Sequence, residues 1–154
     1  MAQCDDCPLG KYSSTTLSSM CLSCTPGQYA DVVAQSACTN CTSGQHTNSL
    51  HGQSQCADCP DGFVAPSPGT AQCQQCAAGS ESVSTSQCAA CADGTYGATD
   101  GASCVSCAAG KAGTGTSKGS EADGCEACAV GHFSASDAAE AVSYTHLTLP
   151  TNAC

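Results

Sequence analysis

Cys7-Pro8-Leu9-Gly10-Lys11-Tyr12, followed after eight intervening residues by Cys21-Leu22-Ser23-Cys24, is the stretch of sequence that decides the fold. It joins a glycine three residues after one cysteine to a later Cys-x-x-Cys pair. Pairs of this kind recur along the chain at a short, nearly constant period, which is typical of tandem-repeat architectures. The pairs begin at Cys4, Cys21, Cys38, Cys56, Cys73, Cys88, Cys104 and Cys125. We therefore predict that residues 1–141 form an array of about eight repeats, which we expect to be part of a longer array.

A glycine follows every second cysteine of these pairs, three residues later. The glycines are Gly10, Gly27, Gly44, Gly62, Gly79, Gly94, Gly110 and Gly131. A glycine at one fixed place indicates a turn with positive φ or a close approach of two chain segments. The residue two places further on is aromatic in four repeats, as Tyr12, Tyr29, Tyr96 and Phe133. We expect this aromatic side chain to cover the adjacent disulfide and to give each repeat a small core.

The composition indicates that covalent cross-links replace a hydrophobic core. Leu, Ile, Val and Phe together number 15 of 154 residues, whereas a packed core usually needs at least about 20% of such residues. The chain has 17 cysteines, above the roughly 8–10% that marks a disulfide scaffold. Disulfides at this density persist only in an oxidising compartment, so we expect an extracellular or cell-surface location.

The predicted fold class is a small disulfide-rich protein, an elongated rod of tandem repeats. Between the cysteine pairs the sequence is rich in Ser, Thr, Gly, Ala and Gln, with neither helical nor long strand periodicity. We expect turns and short β-hairpins, almost no helix, and repeats that contact only their immediate neighbours.

Charge and motif content exclude several functions. With 3 Lys and Arg against 13 Asp and Glu, the chain lacks the basic surface that nucleic acid requires. No apolar run is long enough to span a bilayer, so we expect no membrane insertion by this segment. We assign no catalytic, cofactor-binding or metal-binding residue. His46, His51, His132 and His146 are scattered, and His46 and His132 lie in or next to the aromatic position, where packing explains them.

The stretch Cys7–Ser13, closed by Cys21, resembles the ephrin-receptor-like cysteine-rich repeat and the first loop of tumour-necrosis-factor-receptor modules. Residues 24–29 and 91–96 are similar, and the resemblance covers roughly residues 4–141. It implies that each second cysteine bonds the first cysteine of the next pair. The implied bridges are Cys7–Cys21, Cys24–Cys38, Cys41–Cys56, Cys59–Cys73, Cys76–Cys88, Cys91–Cys104 and Cys107–Cys125.

Two alternatives to this pairing remain open from the sequence. Disulfides could interleave across neighbouring repeats, because spacing does not determine connectivity. Cys-x-x-Cys pairs also build Cys₄ zinc sites, although six of the seven gaps between pairs are 11–14 residues long, shorter than the roughly 15–20 of the zinc version. The implied scheme leaves Cys4 and Cys128 without partners, which fits either a piece of a longer array or links between chains.

The pattern of cysteine pairs stops before the end of the chain. Residues 142–151 resemble the translation of a sequencing adapter, so we expect residues 142–154, including Cys154, to be a non-native tail. A genuine C-terminal strand is the alternative.

Asn40-Cys41-Thr42 is an N-glycosylation sequon, and the Ser/Thr-rich loops are candidate sites for further glycans.

The leading functional expectation is an extracellular structural protein: a secreted stalk, coat or filament-forming segment that associates with itself. The alternative is a ligand-binding or spacer segment of a receptor ectodomain, with an extracellular protein as its partner. An apolar patch confined to one or two repeats would favour the receptor, whereas equivalent contacts along the array would favour a fibre. We expect no enzymatic activity and no cofactor.

Overall fold

The computed structural model describes residues 4–134 and 142–143. In this part of the chain, sixteen short strands pair in sequence order into eight two-stranded sheets. The pairs are Lys11–Tyr12 (β1) with Leu22–Ser23 (β2), Gln28–Tyr29 (β3) with Thr39–Asn40 (β4), Gln45–His46 (β5) with Ala57–Asp58 (β6), Phe63–Val64 (β7) with Gln74–Gln75 (β8), Ser80–Ser84 (β9) with Gln87–Ala90 (β10), Thr95–Tyr96 (β11) with Val105–Ser106 (β12), Lys111–Gly113 (β13) with Cys125–Ala127 (β14), and His132–Phe133 (β15) with Val142–Ser143 (β16). The predicted class, a disulfide-rich array of short hairpins, is confirmed.

Each of the first seven hairpins is built from one turn glycine and the next cysteine pair. The first strand follows the glycine, and the second strand includes the two residues inside the next Cys-x-x-Cys. In the first repeat Lys11 lies opposite Ser23, and Tyr12 lies opposite Leu22, in antiparallel register. The N–H of Cys24 then donates to the carbonyl of Gly10 at 2.9 Å. The cysteine pair therefore closes one hairpin and opens the next.

The turn before each first strand explains the repeated glycine. The N–H of Lys11 donates to the carbonyl of Pro8 at 3.1 Å, and Gly10, the third residue of this four-residue turn, has φ +77°. A type II turn needs positive φ at this position, where side chains other than that of glycine are strained. All eight repeated glycines have φ between 77° and 88°.

Within a repeat, the buried positions lie three residues apart. They are occupied by a cysteine and by small residues. In the second repeat Cys24, Gly27 and Ala30 are all buried. The largest fully buried side chains in the described chain are all cysteines, namely Cys24, Cys41, Cys76, Cys91 and Cys107. A small residue lies six places after the second cysteine in every repeat, and it is buried in five of the eight. These residues are Ser13, Ala30, Thr47, Ala65, Ser82, Gly97, Gly113 and Ser134.

The aromatic position lies at the edge of this interior rather than inside it. Tyr12, Tyr29 and Tyr96 are half-buried, and Phe133 is 45% exposed. The prediction that an aromatic side chain covers each disulfide and gives the repeat a small core is therefore wrong for the core, because these rings are only partly buried. The buried volume beside each bridge is instead so narrow that glycine, alanine, serine or threonine occupies it.

Successive repeats are joined by recurring backbone hydrogen bonds. The N–H of Gly10 donates to the carbonyl of Ala30 at 2.9 Å, and Gly44 bonds Ala65 in the same way at 2.7 Å. A second bond returns from the later loop, where the N–H of Ala34 donates to the carbonyl of Cys7 at 2.9 Å. Equivalent return bonds join Gly52 to Cys24, Gly69 to Cys41, and Ser117 to Cys91. The glycine turn and the buried cysteine of one repeat therefore form the docking face for the next.

The expectation that repeats contact only their immediate neighbours is wrong. A Cβ atom at Gly10 would lie 1.9 Å from the carbonyl oxygen of Gly52, which belongs to the repeat after next. Gly27 approaches Gly69 equally closely. Because both residues of each pair are glycines, their backbones can come into contact although a whole repeat separates them in sequence. Contacts therefore extend beyond nearest neighbours.

The longest loop, between Cys107 and Cys125, contains a four-residue helix, Glu121–Gly124 (α1). Ser120 caps its N-terminus by accepting a hydrogen bond from the N–H of Asp123, and Glu121 forms an ion pair with Lys111 of β13. None of the described helical structure is long and apolar enough to cross a membrane.

The chain divides into two compact bodies. The first comprises Met1–Ala77 and Glu81–Ala89, and the second comprises Ala78–Ser80 and Ala90–Cys154. Each body is built from the same disulfide-closed hairpins.

Candidate functional site

Seven disulfides form the most regular feature of the described chain, and they join the same seven pairs that the resemblance implies. They are Cys7–Cys21, Cys24–Cys38, Cys41–Cys56, Cys59–Cys73, Cys76–Cys88, Cys91–Cys104 and Cys107–Cys125. Their Cα–Cα distances range from 5.6 to 5.8 Å, within the usual span of a disulfide. None of these bridges interleaves with another.

The zinc alternative requires thiolates, and these fourteen sulfurs are oxidised. Within residues 4–134 and 142–143, no group of three or more His, Cys, Asp or Glu side chains is arranged to hold a metal ion. The paired cysteines therefore form covalent cross-links in this structure.

Two described cysteines are free. Cys4 is exposed and Cys128 is half-buried. Cys4 is the first member of its pair, and Cys128 is the second member of the last pair. Each therefore holds a position that is bridged in every complete repeat, while Cys154 lies outside the described residues.

The eighth repeat forms a hairpin without a bridge. Phe133 of β15 lies opposite Val142 of β16, as Tyr12 lies opposite Leu22 in the first repeat. Cys21 directly precedes Leu22, whereas Ala141 directly precedes Val142. Two residues of the suspected tail thus pair as a strand, and residues 144–154 of that tail lie outside the described part of the chain.

The histidines singled out in the sequence are dispersed. His46, in the aromatic position, accepts a hydrogen bond at Nδ1 from the N–H of Asn48 at 2.9 Å. His51 and His132 are exposed in separate repeats, and His146 lies outside the described residues. Packing and turn formation account for His46.

A polar ladder that the sequence analysis missed crosses the second and third repeats. Thr25 Oγ1 donates to Gln28 Oε1 at 2.9 Å, and Gln28 Nε2 donates to Asn40 Oδ1 at 2.9 Å. The third repeat has the same arrangement, in which Thr42 bonds Gln45, and Gln45 bonds Asp58. The signal was the motif Cys-Thr-x-Gly-Gln, which begins at both Cys24 and Cys41.

Exposed apolar side chains are concentrated near the start of the chain. Six of the eleven large apolar side chains that are exposed in the described chain lie between residues 9 and 33. These six, here called the N-terminal apolar set, are Leu9, Leu17, Met20, Leu22, Val32 and Val33. An open groove of about 490 Å³ lies beside Leu9 and Tyr29, with Asp31 and Gln45 also in its wall. The first repeats therefore differ chemically from the later ones.

Comparison with known proteins gives one family match. Residues 10–55 match the family described as tyrosine-protein kinase ephrin type A/B receptor-like. No curated protein matches the chain. The matched segment contains the whole Cys24–Cys38 bridge, the hydrogen bond between Gln28 and Asn40, and five of the six residues of the N-terminal apolar set. Together, the match and the series of disulfide-linked pairs fit cysteine-rich, ephrin-receptor-like repeats and indicate an extracellular, receptor-type segment.

Proposed function

We propose that this chain is an extracellular structural segment that serves as a stalk, coat or filament and has no enzymatic activity of its own. The observation that carries the proposal is the uniformity of the closed repeats. One bridge, one glycine turn and one hairpin recur seven times, and hydrogen bonds from a turn glycine and to a buried cysteine recur between several neighbouring repeats.

Such uniformity suits a mechanical role. A disulfide between residues 12–18 positions apart limits how far each loop can extend. In several repeats the turn glycine donates a hydrogen bond to a neighbouring repeat and the buried cysteine accepts one, so a similar docking face recurs. Self-association through equivalent faces would extend this pattern into a filament.

Sedimentation velocity of the oxidised protein, over a wide concentration range and with electron microscopy of the same samples, tests the filament. We expect concentration-dependent polymers of regular width. The triple variant Cys4→Ser, Cys128→Ser, Cys154→Ser separates covalent from non-covalent growth, because it removes the three cysteines outside the seven bridges. A protein that stays monomeric at every concentration contradicts the filament and coat roles.

The second candidate is a ligand-binding or spacer segment of a receptor ectodomain. The N-terminal apolar set favours it, because exposed apolar side chains confined to one region often mark protein interaction sites. We expect saturable binding of labelled, oxidised protein to an extracellular protein on cell surfaces.

A matched pair of variants tests this candidate. Leu22→Ser with Val33→Ser alters the N-terminal apolar set, whereas Val83→Ser with Val105→Ser removes two valines of comparable exposure in later repeats. Loss of binding only in the first double variant supports a receptor segment. Equal loss in both variants rules out a ligand site in the first repeats.

A further inference from the structure

The sequon Asn40-Cys41-Thr42 lies at the junction of the second and third repeats. Asn40 is the last residue of β4, which pairs only with β3 in a two-stranded sheet of the described chain, and its side chain is exposed. Cys41 follows directly and is fully buried in its bridge to Cys56. The acceptor residue is therefore accessible, while its neighbour is locked in the core.

The Asn40 amide is held in a way that leaves its nitrogen available. Its Oδ1 accepts a hydrogen bond from Gln28 Nε2 at 2.9 Å, and within the described residues its Nδ2 makes no hydrogen bond. Gly69, the residue next to this amide, has no side chain. A Cβ atom at Gly69 would lie 3.4–3.7 Å from the amide atoms of Asn40. Because Asn40 is exposed and its Nδ2 has no partner among the described residues, this nitrogen is open to a substituent in the folded repeat.

The same folded repeat is a poor substrate for the transfer reaction. The acceptor sequence requires the hydroxyl group of Thr42, but Thr42 Oγ1 donates to Gln45 Oε1 at 3.0 Å. The Cys41–Cys56 bridge and the β3–β4 pairing also prevent the segment from leaving the surface to enter an enzyme's active site. A glycan fits the finished site but is difficult to add there.

We propose that Asn40 carries an N-linked glycan that is added before the Cys41–Cys56 bridge closes. In this reaction Nδ2 of Asn40 attacks the anomeric carbon of an oligosaccharide carried on a polyprenyl diphosphate. The bond between that carbon and the diphosphate oxygen breaks, the lipid diphosphate leaves, and one amide proton passes to a base of the transferase. The product keeps Oδ1, so the hydrogen bond from Gln28 survives in the folded repeat.

Occupancy should depend on one particular bridge, which makes the proposal testable. The full chain is expressed behind an added signal peptide in a eukaryotic secretory host, and the occupied fraction at residue 40 is measured by peptide mass spectrometry after enzymatic deglycosylation. Cys56→Ala keeps the sequon and removes its bridge, so we expect the occupied fraction to rise above the wild-type value. Cys73→Ala removes the bridge of the following repeat, and occupancy should stay at the wild-type value.

A second measurement does not depend on variants that could fold poorly. A low concentration of dithiothreitol during wild-type expression delays bridge formation, and it should raise occupancy in the same direction as Cys56→Ala. Absence of glycan from residue 40 in both the wild type and Cys56→Ala overturns the site. Equal occupancy in Cys56→Ala, Cys73→Ala and the wild type overturns the order of events. Neither outcome bears on self-association, so the structural role is tested separately.

Discussion

Thr47 shows how a single hydroxyl group can replace a backbone contact between repeats. Its Oγ1 accepts the N–H of Gly27 at 2.7 Å in a buried setting, whereas Gly10 and Gly44 donate to the carbonyls of Ala30 and Ala65. Thr47→Val keeps the shape of the side chain but leaves that N–H without an acceptor, which should cost about 1–3 kcal/mol of unfolding free energy. Denaturant titration of the oxidised protein, followed by circular dichroism, measures the loss.

Thr25→Val provides the control for this prediction. Thr25 is exposed and its hydroxyl bonds another exposed side chain, that of Gln28, so its loss should stay within about 0.5 kcal/mol. Similar losses in the two variants would show that burial of the Gly27 N–H has no energetic weight.

At Gly27, two costs of adding a side chain can be separated: the clash with a neighbouring repeat and the backbone strain of a positive φ. A Cβ atom there would lie 2.0 Å from the carbonyl oxygen of Gly69, and the residue has φ +85°. Gly110 has the same φ, with no described atom within 4 Å of its Cβ position. Gly110→Ala should therefore cost only the left-handed strain, about 1–2 kcal/mol, whereas Gly27→Ala should cost clearly more or prevent folding.

Disulfide mapping and denaturant titration of both alanine variants decide the matter. A native bridge pattern in Gly27→Ala, together with a loss equal to that of Gly110→Ala, would mean that the backbone contact with Gly69 can relax freely.

At the scale of the hairpin, most of the structure could be predicted from the sequence. The Cys-x-x-Cys spacing and the resemblance together predicted the hairpins and the bridges, because a disulfide fixes which chain segments meet. The core was harder to predict. Ala30, Thr47 and Ala65 look like ordinary loop residues, and they become interior only because their repeats leave a narrow space beside the bridge.

Contacts between repeats were the least predictable feature. Gly10 and Gly52 are far apart in sequence, and no residue pattern links them. Their approach depends on how the intervening repeats are oriented, which is set by backbone hydrogen bonds such as that from Ala34 to Cys7. Backbone bonds leave little trace in side-chain composition, so the sequence suggested contacts between immediate neighbours only.

The eighth hairpin offers a test of the rule that builds the other seven. Ala141 precedes β16 in the chain as Cys21 precedes β2, and β15 pairs with β16 in the same register as β1 with β2. Ala141→Cys should therefore form a new disulfide with Cys128. Peptide mapping under non-reducing conditions identifies the bridge, and thiol titration should show that Cys128 is no longer free.

Ser143→Cys is the matched control, because Ser143 lies opposite His132 inside the strand pair rather than before it. We expect that cysteine to leave Cys128 unbridged. Pairing of position 141 with Cys4, or a reduced thiol at both 128 and 141, would show that strand register alone does not direct the closure.

At the scale of the whole molecule, the fold should depend on oxidation. The fully buried side chains of the described chain are mainly cysteines, and leucine, valine and phenylalanine are largely exposed. Each bridge contributes about 3 kcal/mol in the chain-entropy model, whereas a domain's total stability is typically about 5–15 kcal/mol. Removing all seven bridges should therefore unfold both compact bodies without any denaturant.

This change is measured by small-angle scattering and by the dispersion of amide-proton chemical shifts in NMR spectra. Both are recorded before and after treatment with a phosphine reductant in native buffer. We expect the radius of gyration to increase and the amide dispersion to collapse, because the little apolar surface that the chain buries does not offset the conformational entropy released. Alkylation of Cys4 and Cys128 in the oxidised protein is the control, since it modifies sulfur without opening a bridge, and it should leave both observables unchanged. A reduced chain that kept its native dispersion would show that the backbone bonds between repeats hold the array together, and that the bridges are secondary to them.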